Sequence, residues 1–210
     1  MHWTVLWAVP SGLALISFGW AAVSYFSHFG VRTPLKLLLH VTAPLCVLSL
    51  LWNVHLGRHP VLGVSGVCVS ILALALFWGA VLAHGAARPA HALAGVAPAA
   101  LVRSKAYRAA RHPFYLSYML GYAGWGLTAE TLVSLPVLVW LGTLYYCAAR
   151  QEERAFLAGA LAEQYRAYCR TTGMFWPKLL SARAGGPAGP HSAARNERHK
   201  SARDEYRCHD

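Results

Sequence analysis

The spacing of charged side chains constrains this chain more than any other feature. In the first 87 residues only Arg32, Lys36 and Arg58 carry a charge, and 56% of the whole chain is hydrophobic. Five stretches contain no charge at all, namely residues 1–31, 37–57, 59–87, 112–129 and 131–149. A helix needs about 20 apolar residues, and at least about 17, to cross the hydrocarbon core of a bilayer. The sequence therefore predicts an all-α, polytopic membrane bundle of five transmembrane helices.

The positions of the basic residues predict how this bundle lies in the membrane. Lys and Arg concentrate between His84 and Arg111 and again after Cys147. A tight helical hairpin at Glu130, the only charge between the last two apolar stretches, places both basic segments on one side. Because basic loops stay in the cytoplasm, we expect the N-terminus outside and the C-terminus, with any site near it, inside. The net charge of +11 then matches an anionic lipid bilayer, and nucleic acid is not an expected partner.

Three regions follow one another along the chain. Residues 1–100 hold three predicted spans and an Ala-, Gly- and Pro-rich connector, and residues 101–180 hold the hairpin and most of the polar side chains. From Glu152 to Tyr168 apolar residues recur at steps of three and four, which predicts an amphipathic helix on the membrane surface or against the bundle. Residues 181–210 contain few large apolar side chains, so they are predicted to form a disordered basic tail.

The tripeptide Arg-His-Pro occurs twice, each time at the start of an apolar run. A proline suits the first position of a helix, and a basic residue suits the edge of a membrane. This structural interpretation is sufficient for Arg58-His59-Pro60, because no tyrosine follows at the matching place and no acidic residue occurs in the front half. Arg111-His112-Pro113 differs, since Tyr115 follows it and Glu152-Glu153 lie on the same predicted side of the membrane.

Three groups of side chains in the back half are candidates for chemistry, and each has a simpler explanation. Taken alone, Arg111-His112-Pro113 is a helix start at a membrane edge, and Glu152-Glu153 is a solvated carboxylate pair. Tyr165 and Tyr168, taken alone, are interface aromatics. All three groups fall within residues 111–168 on one predicted side of the membrane. Their combination favours a functional site.

The same segment resembles a known family. Its recurring parts are residues 101–108 (Leu-Val-Arg-Ser-Lys-Ala-Tyr-Arg), Arg111-His112-Pro113-Phe114-Tyr115, Glu152-Glu153, Tyr165, Tyr168 and Pro177. This order is similar to the C-terminal half of the isoprenylcysteine carboxyl methyltransferase and phospholipid methyltransferase group, integral membrane enzymes that use S-adenosylmethionine. The resemblance covers residues 101–178, whereas the front spans match only in being hydrophobic.

The resemblance implies a site for S-adenosylmethionine. The residues that it assigns to the cofactor are His112, Pro113, Phe114, Tyr115 and Glu152. A carboxylate such as that of Glu152 would stabilise the cationic sulfonium group, and His112 and Tyr115 would offer hydrogen bonds. Methyl transfer is an in-line displacement, so positioning and exclusion of water are expected to supply most of the catalysis, and no metal is expected.

The chain departs from the family at positions that bear on the acceptor. Family members often have Gly-Pro where this chain has Lys105-Ala106. The arginine that holds the substrate carboxylate in the carboxyl methyltransferases would fall at Ala148, and Arg150 is rotated by about 200° around the helix axis relative to it. Arg150 and Glu153 are predicted to orient the acceptor. A prenylcysteine carboxylate, a lipid amine, a thiol and other amphiphiles all stay open as that acceptor.

The sequence leaves two other functions possible. A sterol- or steroid-type membrane reductase would bind NADPH at the same face, although Glu152-Glu153 and the lack of a His-rich stretch before Tyr165 argue against it. A noncatalytic scaffold or transporter subunit would need polar residues along several spans, and the first three spans hold only scattered ones such as His40 and Asn53. The five cysteines are predicted to be small apolar fillers. The sequence does not predict the oligomeric state.

Overall fold

The described part of the chain is all-α, which confirms that part of the predicted fold class. The computed structural model describes residues 2–25, 48, 59–85, 100–130, 132 and 134–178. Within these ranges there are five α-helices and no strand, and the helices are α1 (His2–Trp20), α2 (Pro60–His84), α3 (Pro113–Ala129), α4 (Ser134–Ala158) and α5 (Ala162–Thr171). A π-helical turn (Ala21–Tyr25) extends α1, and a short 3₁₀-helix (Lys105–Arg108) precedes α3.

One helix in the described ranges, α2, is long and apolar enough to cross a membrane. Its 25 residues span about 37 Å, which exceeds the roughly 30 Å hydrocarbon core of a bilayer. The 17 residues of α3 are at the lower limit for a span. Apart from Leu48, the predicted second span at 37–57 lies outside the described residues, as do the connector at 86–99 and the tail at 181–210.

Small residues allow α2 and α3 to pack closely as an antiparallel pair. A Cβ atom on Gly66 would lie 2.7 Å from the backbone nitrogen of Thr128, and one on Gly124 would lie 3.0 Å from the carbonyl oxygen of Gly66. Toward the other end of the pair, the rings of Phe77 and Phe114 have centroids 5.7 Å apart. Small residues at such contacts are typical of helices that pack within a membrane, because they let the two backbones approach.

α1 packs against both of these helices and runs parallel to α2. The Ser11 hydroxyl lies 2.9 Å from that of Ser70 in the middle of the bundle. Further along α1, the Phe18 ring contacts Phe77 of α2 and Tyr118 of α3, with centroids 5.3 and 4.8 Å apart. The side chains of α1, α2 and α3 thus share one core, while large apolar residues on the outer faces of α1 and α2 remain exposed.

α3 and α4 form the helical hairpin that was predicted at Glu130. α3 ends there because the Glu130 backbone is left-handed, with φ 49° and ψ 39°. Tyr118 and Tyr145 face each other along the hairpin with ring centroids 5.4 Å apart. At its closed end, the Glu130 carboxylate accepts the backbone N–H of His59 at 2.9 Å. His59 is the N-cap residue of α2, which confirms that the first Arg-His-Pro marks the start of a helix.

The predicted amphipathic helix at 152–168 is wrong as a single element, because the structure divides it into two. α4 continues through the carboxylate pair to Ala158, and a turn that begins at Gly159 separates it from α5. Glycine weakens a helix because it loses the most backbone freedom on folding. The turn stacks Tyr165 on Phe156 with ring centroids 4.6 Å apart. In one continuous helix these two residues would lie about 13 Å apart along the axis.

Candidate active site

The segment before α3 is paired with the segment that follows α5. The backbone N–H of Arg111 donates to the carbonyl of Gly173 at 2.9 Å, and that of His112 donates to the carbonyl of Met174 at 3.1 Å. An isolated parallel β-bridge also forms at Gly173. We call residues 172–178 the strap. The strap fixes the backbone that carries Arg111 and His112.

Arg111 and Glu153 form a buried ion pair that joins three elements. Nε and Nη2 of Arg111 each lie 2.8 Å from Oε1 of Glu153, and the two side chains are 1% and 3% exposed. Nη1 of Arg111 donates to the carbonyl of Thr172 at 2.6 Å. Burial alone would raise the pKa of Glu153, but the hydrogen bond from His112 and the charge of Arg111 lower that pKa below its ordinary value. Glu153 therefore stays ionised and links α4 to the strap.

His112 lies between the two carboxylates of α4. Its Nε2 atom is 3.3 Å from Oε1 of Glu153, and its Nδ1 atom is 3.6 Å from Oε2 of Glu152. Burial by itself lowers the pKa of His112, but the Glu152 carboxylate at 3.6 Å and the Glu153 carboxylate at 3.3 Å outweigh burial, so the pKa of His112 is raised. The charged imidazolium is therefore favoured, and it bridges the two carboxylates.

Glu152 is the more accessible carboxylate of the pair. Its side chain is 31% exposed, whereas that of Glu153 is 3% exposed. The Tyr115 hydroxyl donates to Oε2 of Glu152 at 3.3 Å. The Tyr115 ring stacks on His112 and on Tyr145, with centroids 5.4 Å away in each case. Three residues that were predicted to bind a cofactor, His112, Tyr115 and Glu152, are thus brought together at one end of the bundle.

The other two predicted cofactor residues, Pro113 and Phe114, occupy structural positions. Pro113 is the first residue of α3 and is buried. The Phe114 ring faces α2, where it contacts Phe77 at a centroid distance of 5.7 Å and His84 at 6.1 Å. Phe114 therefore packs in the interface between α2 and α3.

His84, the last residue of α2, is a neighbour of the site that was not predicted from the sequence. Its Nε2 atom lies 2.9 Å from the hydroxyl of Tyr107, and its ring stacks on Phe114. Beside it, Lys105 donates to the carbonyl of Leu82 at 2.8 Å. The front half of the chain thus contributes to this end of the bundle. The sequence indicates His84 only by its position, as a histidine at the very end of an apolar run.

The two residues predicted to orient an acceptor have different surroundings. The Arg150 side chain is half-buried, and its Nη1 atom is buried without a hydrogen-bond partner among the described residues. Glu153 is engaged by Arg111 and His112, so its predicted contact with an acceptor is not supported by its position. Ala148, where the resembled carboxyl methyltransferases have an arginine, is 5% exposed and belongs to the apolar core.

The described basic residues all lie at the same end of the bundle as the candidate site. They are Arg103, Lys105, Arg108, Arg111, Arg150, Arg154, Arg166, Arg170 and Lys178. At the opposite end, the contact between His59 and Glu130 closes the bundle. Trp176 of the strap, on the site end, is 73% exposed. Aromatic and basic side chains together are typical of a membrane–water interface.

Lys105, which replaces a glycine common in the resembled family, has a left-handed backbone with φ of 52°. That conformation costs a non-glycine residue about 1 kcal/mol, and glycine adopts it freely. We expect Lys105→Gly to leave the free energy of unfolding unchanged or to raise it by up to about 1 kcal/mol, even though the hydrogen bond to Leu82 is lost. Lys105→Ala, which loses the bond and keeps the strain, should be less stable than both in a thermal unfolding series. A glycine variant less stable than the alanine variant would contradict this.

Comparison with known proteins finds one partial relative. Cobalt-zinc-cadmium resistance protein CzcN of Cupriavidus metallidurans is 39% identical over 79 residues, which are 38% of this chain and 36% of that protein. The matched part thus spans about a third of the relative's length. No family model matches the chain, and no solved structure matches it. Among the described residues, no group of three or more His, Cys, Asp or Glu side chains is arranged to hold a metal ion.

Proposed function

We propose that this chain is an integral membrane methyltransferase that uses S-adenosylmethionine and acts on a lipid-like or small amphiphilic acceptor. The observation that carries the proposal is the position of Glu152, a partly exposed carboxylate that Tyr115 and His112 hold beside a buried ion pair. The family resemblance assigns the same residues to the cofactor. Metal resistance is named for the CzcN relative alone, and it plays no part in the proposal.

The surroundings of Glu152 fit a cationic ligand. Its carboxylate is exposed enough to meet a ligand while Oε2 keeps the hydrogen bond from Tyr115. Hydrogen bonds that involve a charged partner are about twice as strong as neutral ones. The half-buried ring of Phe175 lies beside His112, with centroids 6.2 Å apart, and offers a face for a cation. When bound, S-adenosylmethionine supplies a methyl group that is activated by the positive charge on its sulfur.

The neighbouring side chains have distinct proposed roles. Tyr115 and His112 fix the Glu152 carboxylate, and the Arg111–Glu153 pair holds His112 and the strap in place. We therefore assign Glu153 a positioning role, in place of the contact with the acceptor that the sequence suggested. Arg150, with its buried and unpaired Nη1 among the described residues, is proposed to orient the acceptor. Holding S-adenosylmethionine and the acceptor in a fixed relative position would accelerate the displacement reaction, even though no side chain reacts.

We place the site at the cytoplasmic face of a five-span bundle with its N-terminus outside. The length and apolar character of α2 support a membrane location. The basic residues gathered at the site end support the orientation, because basic segments are retained in the cytoplasm. A bilayer around this end would present amphiphilic acceptors to the site from the side.

Replacing Glu152 with glutamine is expected to weaken S-adenosylmethionine binding by about ten- to hundredfold, the usual worth of a hydrogen bond to a charged group. S-adenosylhomocysteine lacks the sulfonium charge, so its affinity should fall less if Glu152 faces the sulfur. Calorimetry on the detergent-purified protein measures both constants. Glu163→Gln is the matched control, because Glu163 lies on α5 and is exposed. We expect that variant to bind like the parent.

Two outcomes of the same titrations would overturn the proposal. If the parent binds NADPH and not S-adenosylmethionine, the reductase alternative replaces it. If S-adenosylmethionine binds but Glu152→Gln and Glu163→Gln bind it equally well, the ligand does not use the carboxylate on which the proposal rests. Equal losses for S-adenosylmethionine and S-adenosylhomocysteine would instead place Glu152 beside the amino group that both ligands carry.

A further inference from the structure

The side chains at the candidate site form a charge-balanced cluster when His112 is protonated. Arg111 and the His112 imidazolium supply two positive charges, and Glu152 and Glu153 supply two negative ones. His112 is 6% exposed, and it is surrounded by these groups, by the stacked ring of Tyr115 and by the neutral ring of Phe175 from the strap. A ligand cation that arrives at Glu152 would leave one positive charge in excess.

An excess charge in such a place is costly, because buried ions need partners and like charges repel at short range. Arg111 cannot remove it, since a guanidinium does not lose its proton in a protein. The imidazolium of His112 can, because histidine titrates near neutral pH. Its Nδ1 atom lies 3.6 Å from Oε2 of Glu152, the carboxylate that the ligand would share.

We propose that a cation bound at Glu152 expels the proton of His112 into solvent, so that binding of S-adenosylmethionine is coupled to the release of one proton. The charge of the cluster is then the same before and after binding, with the ligand cation in the place of the imidazolium charge. The neutral ring that results keeps its contact with Glu153 through Nε2. This inference rests on the proposed function and adds a role for His112 that the resemblance does not supply.

The coupling has a definite sign. Because the two carboxylates raise the pKa of His112 in the ligand-free protein, the ring is charged below that pKa and the ligand must displace its proton. The logarithm of the association constant should therefore rise with pH, with a slope of up to about one, and become level above the ligand-free pKa of His112. A site in which His112 merely packs would show no such slope.

Calorimetry in buffers of different ionisation enthalpy, between about pH 6 and 9, counts the protons released on binding. We expect the parent to release close to one proton more with S-adenosylmethionine than with S-adenosylhomocysteine, which has the same amino group and no sulfonium. His112→Gln should release the same number with both ligands. The parent comparison stands by itself should the variant fail to fold.

The outcomes separate this inference from the function that underlies it. If S-adenosylmethionine binds the parent with no more proton release than S-adenosylhomocysteine, or if His112→Gln keeps the excess, the coupling is wrong and the cofactor assignment survives. If the parent binds S-adenosylmethionine at no pH in the range, the proposed function and the coupling both fall.

Discussion

Replacing Arg111 with methionine is expected to lower the free energy of unfolding by about 3–5 kcal/mol, the usual cost of removing one partner from a buried ion pair. Glu153, with 3% of its side chain exposed, would lose the guanidinium and keep the longer contact with His112, and the Thr172 carbonyl would lose the Arg111 donor. The strap is bonded to the same stretch of backbone, so it should loosen too. Thermal or denaturant unfolding in detergent measures the change.

Two comparisons test whether the ion pair is the cause. Arg166→Met removes a cation from an exposed pair with Glu163, and such a pair is worth only about 0–1 kcal/mol. The double variant Arg111→Met with Glu153→Gln also removes the negative charge of Glu153, so it should recover a large part of the lost stability. A double variant that is less stable than Arg111→Met alone would show that the Glu153 carboxylate without its guanidinium partner is not the source of the loss.

Gly173→Ala is the second change with a large expected effect, about 2–3 kcal/mol of destabilisation, because it overpacks a closed turn. The added Cβ would lie 2.0 Å from the carbonyl oxygen of Trp176. That oxygen belongs to the backbone, so the strap must open to make room. The bonds that Arg111 and His112 donate to Gly173 and Met174 lie across this turn, so the affinity for S-adenosylmethionine should fall as well.

Gly142→Ala is the matched control for this steric argument. A Cβ at Gly142 in α4 would only approach Met119 Sδ at 3.9 Å, an ordinary contact. Alanine is the better helix former by about 0.5–1 kcal/mol, so this variant should be as stable as the parent or more so. If both alanine variants unfolded at the same temperature as the parent, the close approach at Gly173 would not be real.

The elements that local rules govern could be predicted from the sequence. Proline at the first position of a helix correctly marked the starts of α2 and α3 at Pro60 and Pro113. The single charge at Glu130 correctly marked the hairpin. Order along the chain and the predicted side of the membrane were also enough to group His112, Tyr115 and Glu152, which the structure brings into one cluster.

The features that depend on long-range packing could not be predicted. Adjacent carboxylates look alike in a sequence, yet Glu153 faces the bundle and Glu152 is partly exposed, because neighbours on a helix point about 100° apart. The partner of Arg111 is 42 residues away, and no local pattern identifies it. The periodicity across Gly159 suggested one helix, since the stacking of Tyr165 on Phe156 that favours the turn is a tertiary contact.

Transfer of a labelled methyl group from S-adenosylmethionine is the most direct test of the account. The purified protein would be placed in lipid vesicles and offered three classes of acceptor, namely a prenylcysteine, an amine-bearing lipid and a small hydrophobic thiol. We predict label in one of these products, a rate at least about tenfold lower for Glu152→Gln, and an unchanged rate for Glu163→Gln. Transfer that is equally fast without the Glu152 carboxylate, or no transfer to any of the three acceptors by a folded parent, would contradict the account.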